Sequence, residues 1–203
     1  MTEPQQRALM DLSREVIRKA LAGERNVSFQ IPDPALHQQA GCFVSLHRLH
    51  THKLRGCVGR LEANGPLWEM VAQSSANVLR DPRFTGEPVT PEELPDLSLE
   101  LSVLSPLQQA ASPLSFDPLK HGIYLMCCGR TGCFLPQVAR ETGWSREQLL
   151  GRLCSEKMGL PATFWMQAGA QLMTFTTLII GPEPFEQVGQ NAAGPNTPPP
   201  QAY

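Results

Sequence analysis

The stretch Lys53 to Arg60, KLRGCVGR, sets one thiol among three cations and two glycines. Cysteine reacts as its thiolate, and nearby cations favour that form. One cation about 6 Å away, at an effective dielectric of about 20, contributes roughly 2 to 3 kcal/mol before solvent screening. Half of that brings a thiol down from its reference near about 8.5 toward neutrality. Lys53, Arg55 and Arg60 therefore mark Cys57 as a candidate reactive thiol. The competing reading is a small strand residue whose sulfur fills a gap. Gly56 and Gly59 also have two readings. They leave backbone N–H groups free for an anionic ligand, or they mark a bulge or sharp bend. A cysteine-phosphatase loop is excluded, because its phosphate-clamping arginine would stand where this chain has Ala63.

A second polar string, RDPRF from Arg80 to Phe84, follows a helical segment. Asp81 can pair with Arg80 or Arg83 and order the loop, or Arg83 can face an anion. Four of the five histidines, His37, His47, His50 and His52, precede Lys53. His50 and His52 on a strand would share a face, as zinc ligands do. No carboxylate or cysteine completes a familiar ligand spacing, and Lys53 and Arg55 would repel a dication, so the reading is a solvated hairpin tip and no metal site. Cys127, Cys128 and Cys133 lack C-x-x-C spacing and read as strand thiols, with Cys128 able to face Cys133 across a hairpin. Cys154 reads as core. No P-loop, dinucleotide fingerprint, H-E-x-x-H or G-x-S-x-G string is present, and no cofactor is implied.

The elements that must position these residues follow from periodicity. Leu9, Leu12, Val16, Ile17 and Leu21 recur at helical spacing, and Gly23 ends that helix. Strands are expected near Gly41–Leu46, Lys53–Glu62, Leu97–Leu104, Ile123–Cys128 and Leu172–Ile180. Pro66 opens a helix that Pro82 stops. Gly129 to Gly132 joins a second hairpin, and Ser145 with Gln148 has the capping-box spacing of a further helix. Leu97, Leu99, Leu101 and Val103 share one strand face, with Ser98, Glu100 and Ser102 on the other. The expected fold is α+β with a mainly antiparallel sheet, in two similar rounds. At 203 residues the chain suits one globular domain, or two small lobes sharing a core. From about Gly181 to residue 203, proline, glycine and amides dominate, which predicts a disordered tail. A net charge of -2 argues against a general nucleic-acid coat. No apolar run reaches about 20 residues and no secretory signal opens the chain, so a cytoplasmic protein with reduced thiols is expected.

Six strings in order carry a resemblance: LRGCVG, DPRF, LELSVLSP, HGIYL, FLPQVARETGWSREQLLGRLCSEKMGL and a later Trp165. Together they closely resemble the AMMECR-one domain family, called AmmeMemoRadiSam system protein A in bacteria, from about Leu9 to Ile180. The resemblance implies an α+β fold of two β/α repeats around one barrel-like sheet. It carries over Leu54, Arg55, Gly56, Cys57 and Gly59, then Asp81, Pro82, Arg83 and Phe84, then Leu135, Pro136 and Gln137. It brings no defined reaction. It does imply association with a MEMO-like protein and a radical SAM enzyme. Two departures stand out: Met158 replaces the alanine of a K-A-G-L pattern, and the histidines at 47, 50 and 52 lie outside the pattern. The first functional reading is a non-catalytic or substrate-like component of that system, with Cys57 at the contact. The second is an enzyme with Cys57 as nucleophile, for which neither Glu62 nor any histidine is evidently placed as base. The third is a small basic-patch module for nucleic acid or anions.

Overall fold

The computed structural model describes residues 1–24 and 29–186. Helix α1, Glu3–Leu21, starts where Gln5 accepts the Thr2 backbone N–H at 2.8 Å. Glu3 in its first turn and Arg18 and Lys19 in its last complement the helix dipole. Its stripe of Leu9, Leu12, Val16 and Ile17 is buried. Strands β1 (Cys42–Arg48) and β2 (Leu54–Arg60) form a hairpin, followed by α2 (Leu67–Val78) and β3 (Leu97–Leu104). The first round ends in a two-residue strand β4 (Gln108–Gln109). The hairpin β5 (Gly122–Cys127) and β6 (Arg130–Phe134) comes next. Helices α3 (Pro136–Thr142) and α4 (Arg146–Arg152) follow, the latter running into a π-helical turn. Strands β7 (Gln171–Phe175) and β8 (Thr177–Pro184) close the described chain.

These strands make two antiparallel four-stranded sheets, ordered β2-β1-β3-β8 and β4-β7-β5-β6. The mainly antiparallel α+β class is therefore observed. Among the described residues no closed barrel forms, and the single barrel-like sheet is instead divided in two. Read from the outer hairpin strand, the two orders are the same. Each round supplies a hairpin and a third strand, and each sheet takes its fourth strand from the other round. The expected closing strand Leu172–Ile180 is accordingly two strands, one per sheet. It breaks at Thr176, whose N–H donates to Ser105 Oγ at 2.9 Å and whose carbonyl accepts from the Ser105 N–H at 3.0 Å. Ser105 stands at the matching crossover after β3, so one pair of hydrogen bonds ties both crossings together.

Leu97, Leu99, Leu101 and Val103 of β3 join α1 and α2 in one core. Leu125, Leu150, Leu153 and Leu172 centre the other. Expected boundaries moved in two places. The turn of the second hairpin is Cys128-Gly129 alone, both with positive φ (53° and 69°), the backbone a two-residue type I′ turn requires. Cys133 therefore pairs with Tyr124 rather than Cys128. The ordered chain also continues past Gly181. β8 extends to Pro184, Glu183 meets the buried Arg14 at 2.8 Å, and the fully buried Phe185 donates its N–H to the Leu97 carbonyl. The Gly-Pro-Glu-Pro composition had masked an alternation that a long-range ladder uses. Residues 187–203 of the expected tail lie outside the described residues. Among the described residues, no helix is long and apolar enough to cross a membrane.

Candidate functional site

Strand β2 is an edge strand, so half of its backbone groups face away from β1. At Cys57 the RDPRF turn satisfies both. The Cys57 N–H donates to Asp81 Oδ2 at 2.8 Å, and Arg83 Nη2 donates to the Cys57 carbonyl at 3.0 Å. Asp81 begins a 3-10 turn over Pro82–Phe84 and also accepts from the Arg83 N–H and Nε, each at 3.0 Å. The carboxyl is buried and fully used. Arg83's hydrogen bond above all, and the Cys57 N–H besides, hold it down at about 2, although burial opposes. Arg83 is in turn held protonated, first by Asp81 and to a lesser degree by Cys57. Two strings twenty-four residues apart thus form one clamp, with the Arg83 guanidinium on the Cys57 carbonyl and close enough to feel the thiol.

The three cations flanking Cys57 in sequence are placed otherwise. The β1–β2 register passes from Leu46–Gly56 to His47–Leu54, so Arg55 is the extra residue of a bulge. Its buried guanidinium bonds the Glu87 carbonyl at 2.7 Å and Glu93 at 3.0 Å and lies over the Phe84 ring. Arg60 pairs with Cys42 and shares its face, opposite to that of Cys57. There it lines a separate cavity of about 230 Å³ with Gln73, Asn77 and Arg80. Lys53 is exposed in the hairpin turn. The two glycines serve packing. A Cβ at Gly56 would stand 2.8 Å from the Val78 carbonyl of α2, and one at Gly59 would strike the β1 backbone.

Cys57 is half-buried, and its side-chain direction follows from the register. It faces Ser45 across β1, and Ser45 faces Glu100 across β3. Directly opposed residues share a face, so Cys57, Ser45 and Glu100 form one row over three strands. That face is turned toward the second half of the molecule. A cleft of about 350 Å³ lies there, with Ser45, His47, Glu100 and Ser102 on the sheet side and Arg83 among its lining. Cys133, Gln137, Glu141 and Lys157 come from the second round. Cys57 adjoins the cleft through Ser45 and Arg83.

Burial acts on the cleft's polar groups. Burial pushes the Glu100 carboxyl up, His47 opposes that, and Glu141 adds to it. Burial drives the Cys133 thiol to about 12, with Lys157 opposing. His47 Nε2 and Gln137 Oε1 are buried without a hydrogen-bond partner. His50 and His52 sit in the turn beyond β1 rather than on a strand. Of the residues singled out in the sequence, the fold brings Cys57, Asp81, Arg83 and Gln137 to the cleft or its rim. It places Arg55, Gly56, Gly59 and Arg60 in packing or on another face. Ser45, Glu100, Glu141 and Lys157 were missed, and His47, read as part of a solvated hairpin tip, lies on β1 with its Nε2 buried. The alternation of Ser98, Glu100 and Ser102 on a central strand was the available signal, since a polar face between two neighbouring strands needs a polar partner.

A family model described as AMMECR1 matches residues 10–180. Protein MJ0810 of Methanocaldococcus jannaschii is 34% identical over 183 residues, 87% of each chain. Protein PH0010 of Pyrococcus horikoshii is 32% identical over 191 residues, covering 86% of this chain and 88% of that one. The crystal structure of PH0010, described as an uncharacterised protein, superposes with a TM-score of 0.80 at 29% identity, over 88% of this chain and 92% of that chain.

Proposed function

The chain belongs to the AMMECR1 family, and from that premise we propose that it is a thiol-presenting, non-catalytic component of a multiprotein modification system. On the family resemblance, the partners are a MEMO-like protein and a radical SAM enzyme, and the setting is the reducing cytoplasm. The observation that carries the reading is the placing of Cys57. Asp81 and Arg83 fix its backbone from outside the sheet, and a guanidinium stands on its carbonyl, close enough to feel the thiol. A fixed, half-exposed thiol near a cation is the microenvironment that selects a reactive cysteine. The test is alkylation in a Cys128→Ser background, because Cys128 is exposed on its turn. Substoichiometric iodoacetamide near neutral pH should label Cys57 before the remaining four thiols, and Arg83→Ala should slow that labelling several-fold. Labelling of Cys57 only after denaturation would sink the proposal.

A second reading, Cys57 as the nucleophile of an enzyme, is favoured by Glu100 in the same cross-strand row. Distance ranks it second. Two inter-strand spacings separate Cys57 from Glu100, about 10 Å between Cα atoms, whereas a general base works at about 3 Å or through one water.

A further inference from the structure

An antiparallel edge strand turns the N–H and carbonyl of every second residue away from its partner. On β2 the protein fills both groups at Cys57. The N–H meets the Asp81 carboxylate at 2.8 Å, and Arg83 caps the carbonyl at 3.0 Å. From Gly56 to Arg60 the ladder with β1 runs without interruption, so the next outward pair belongs to Gly59. Packing against β1 constrains one side of that glycine, and its outward side is open. Among the described residues no backbone or side-chain acceptor meets the Gly59 N–H. The edge thus holds an anion with an arginine at Cys57, and two residues further on it presents the same donor with no anion.

Gly59 lines the cavity of about 230 Å³ between this edge and α2. Arg60 reaches it from the strand, Arg80 from the turn that ends α2, and Gln73 and Asn77 from successive turns of the helix. No carboxylate lines it. Among the described residues neither Arg60 nor Arg80 forms a salt bridge, whereas Arg55 and Arg83, their neighbours in sequence, each hold one. The nearby acids are placed elsewhere. Asp81 is occupied by Cys57 and Arg83, Glu62 lines a different cavity with Gln39 and Ala63, and the Glu69 carboxylate lies by Gly65. Two guanidinium groups that share a cavity repel each other, and an anion between them removes that repulsion.

We infer that this cavity binds a phosphate group, free or as the end of a small monoester, between the Gly59 N–H and Arg60 on one side and Arg80, Gln73 and Asn77 on the other. The donors come from a strand and from a helix with its following turn. A tetrahedral phosphate directs oxygens to several sides at once, whereas a planar carboxylate has only two, and paired guanidinium groups match a dianion. The volume lies below the range of sites that enclose a whole ligand, which suits a charged end group. No aromatic side chain lines the cavity and the chain carries a net charge of -2, so a nucleic-acid strand is disfavoured. Arg60 and Cys57 lie on opposite faces of β2, and the inference does not rest on the reactivity of the thiol.

Titration of the nitrogen-15-labelled full chain with inorganic phosphate and with phenyl phosphate, followed by amide NMR at fixed ionic strength and pH about 8, tests it, since phosphate is then a dianion. The expected result is a saturable shift of the Gly59 amide with Kd of about 1 mM or tighter. The tighter of the two probes tells whether the site is made for free phosphate or for a monoester. Acetate should bind at least about tenfold more weakly. Arg60→Gln and Arg80→Gln, both at exposed positions, should each weaken phosphate about tenfold and leave Tm unchanged. No saturable shift at Gly59 with either phosphate overturns the inference, as does equal affinity for acetate or undiminished binding by both glutamine variants. Equal or tighter binding of a thymidine oligonucleotide, whose phosphates are diesters, overturns it too, because the edge would then be reading a nucleic-acid backbone.

Discussion

The two rounds of the chain use the same Gly-Cys pair on the outer hairpin strand and give the two thiols different surroundings. Gly56-Cys57 lies on β2 opposite Leu46 and Ser45, and Gly132-Cys133 lies on β6 opposite Leu125 and Tyr124. In both, the glycine lets a helix press on the strand, against Val78 in one case and against Leu153 and Met158 in the other. In both, the cysteine is turned toward the shared cleft. Around Cys57 the Asp81–Arg83 clamp supplies a guanidinium. Around Cys133 no such clamp stands among the described residues, and burial takes the thiol to about 12 although Lys157 opposes. One local solution to packing a helix on an edge strand therefore yields a candidate reactive group only where a polar turn closes the edge.

The exchange of fourth strands is asymmetric, and breaking it carries the largest expected effect. Sheet one receives β8, eight residues long and followed by the buried Phe185, whereas sheet two receives only the exposed pair Gln108 and Gln109. Ending the chain at Ile180 removes Phe185 and leaves the buried Arg14 without Glu183. Losing a core phenylalanine alone costs about 3 to 5 kcal/mol. Relative to a chain ending at Glu186, a fall in Tm of about 10 °C is expected. Gln108→Pro, which breaks only the short exchanged strand, should lower Tm by about 2 °C or less. Similar losses in the two variants would mean that the exchange is energetically symmetric.

The glycine pair offers a sharper contrast of intermediate size. A Cβ at Gly56 meets the Val78 backbone carbonyl at 2.8 Å, which cannot move without α2. At Gly132 the closest atom is Met158 Cγ, also at 2.8 Å, on a side chain that can re-pack. Gly56→Ala should thus cost about 2 to 3 kcal/mol and Gly132→Ala about 1 kcal/mol in denaturant unfolding. The reverse order would show that the second core is the more rigid of the two.

Much of this fold was legible locally. β3 spans Leu97–Leu104 as its alternation predicts, and the capping box at Ser145 and Gln148 begins α4 as read. What stayed hidden depends on pairings far apart in sequence. The break at Thr176 follows from Ser105, seventy-one residues earlier, and a β-branched run cannot announce that it changes sheets. The bulge at Arg55 redirects a cation that simple alternation would have kept with Cys57. At the candidate site, Cys57, Asp81, Arg83 and Gln137 could be picked out as motif residues. Glu100 was legible only as one residue of a polar strand face, and its relation to His47 and Glu141 exists only once two halves of the chain face each other.

The smallest effect concerns the clamp that distinguishes the two edges. Asp81 is held at about 2, below its ordinary 3.8, chiefly by the Arg83 hydrogen bond. A carboxyl whose folded pKa is depressed contributes stability above its unfolded pKa and loses it as pH falls through the folded value. The contribution is therefore complete above about pH 4 and fades toward about pH 2. The full shift corresponds to somewhat over 2 kcal/mol, but Arg83 is more than half exposed, and solvent screening reduces this to about 1 kcal/mol. Asp81→Asn keeps one acceptor oxygen, removes the charge and turns the other oxygen into an N–H donor, a loss that does not vary with pH. The Tm difference between the native chain and Asp81→Asn should be largest near neutral pH and shrink by about 2 to 4 °C on acidification to about pH 2. Other carboxyls titrate in both proteins and cancel in the difference. A gap that stays constant across that range would mean the clamp works through shape alone, and the guanidinium beside Cys57 would then owe its position to the turn rather than to the ion pair.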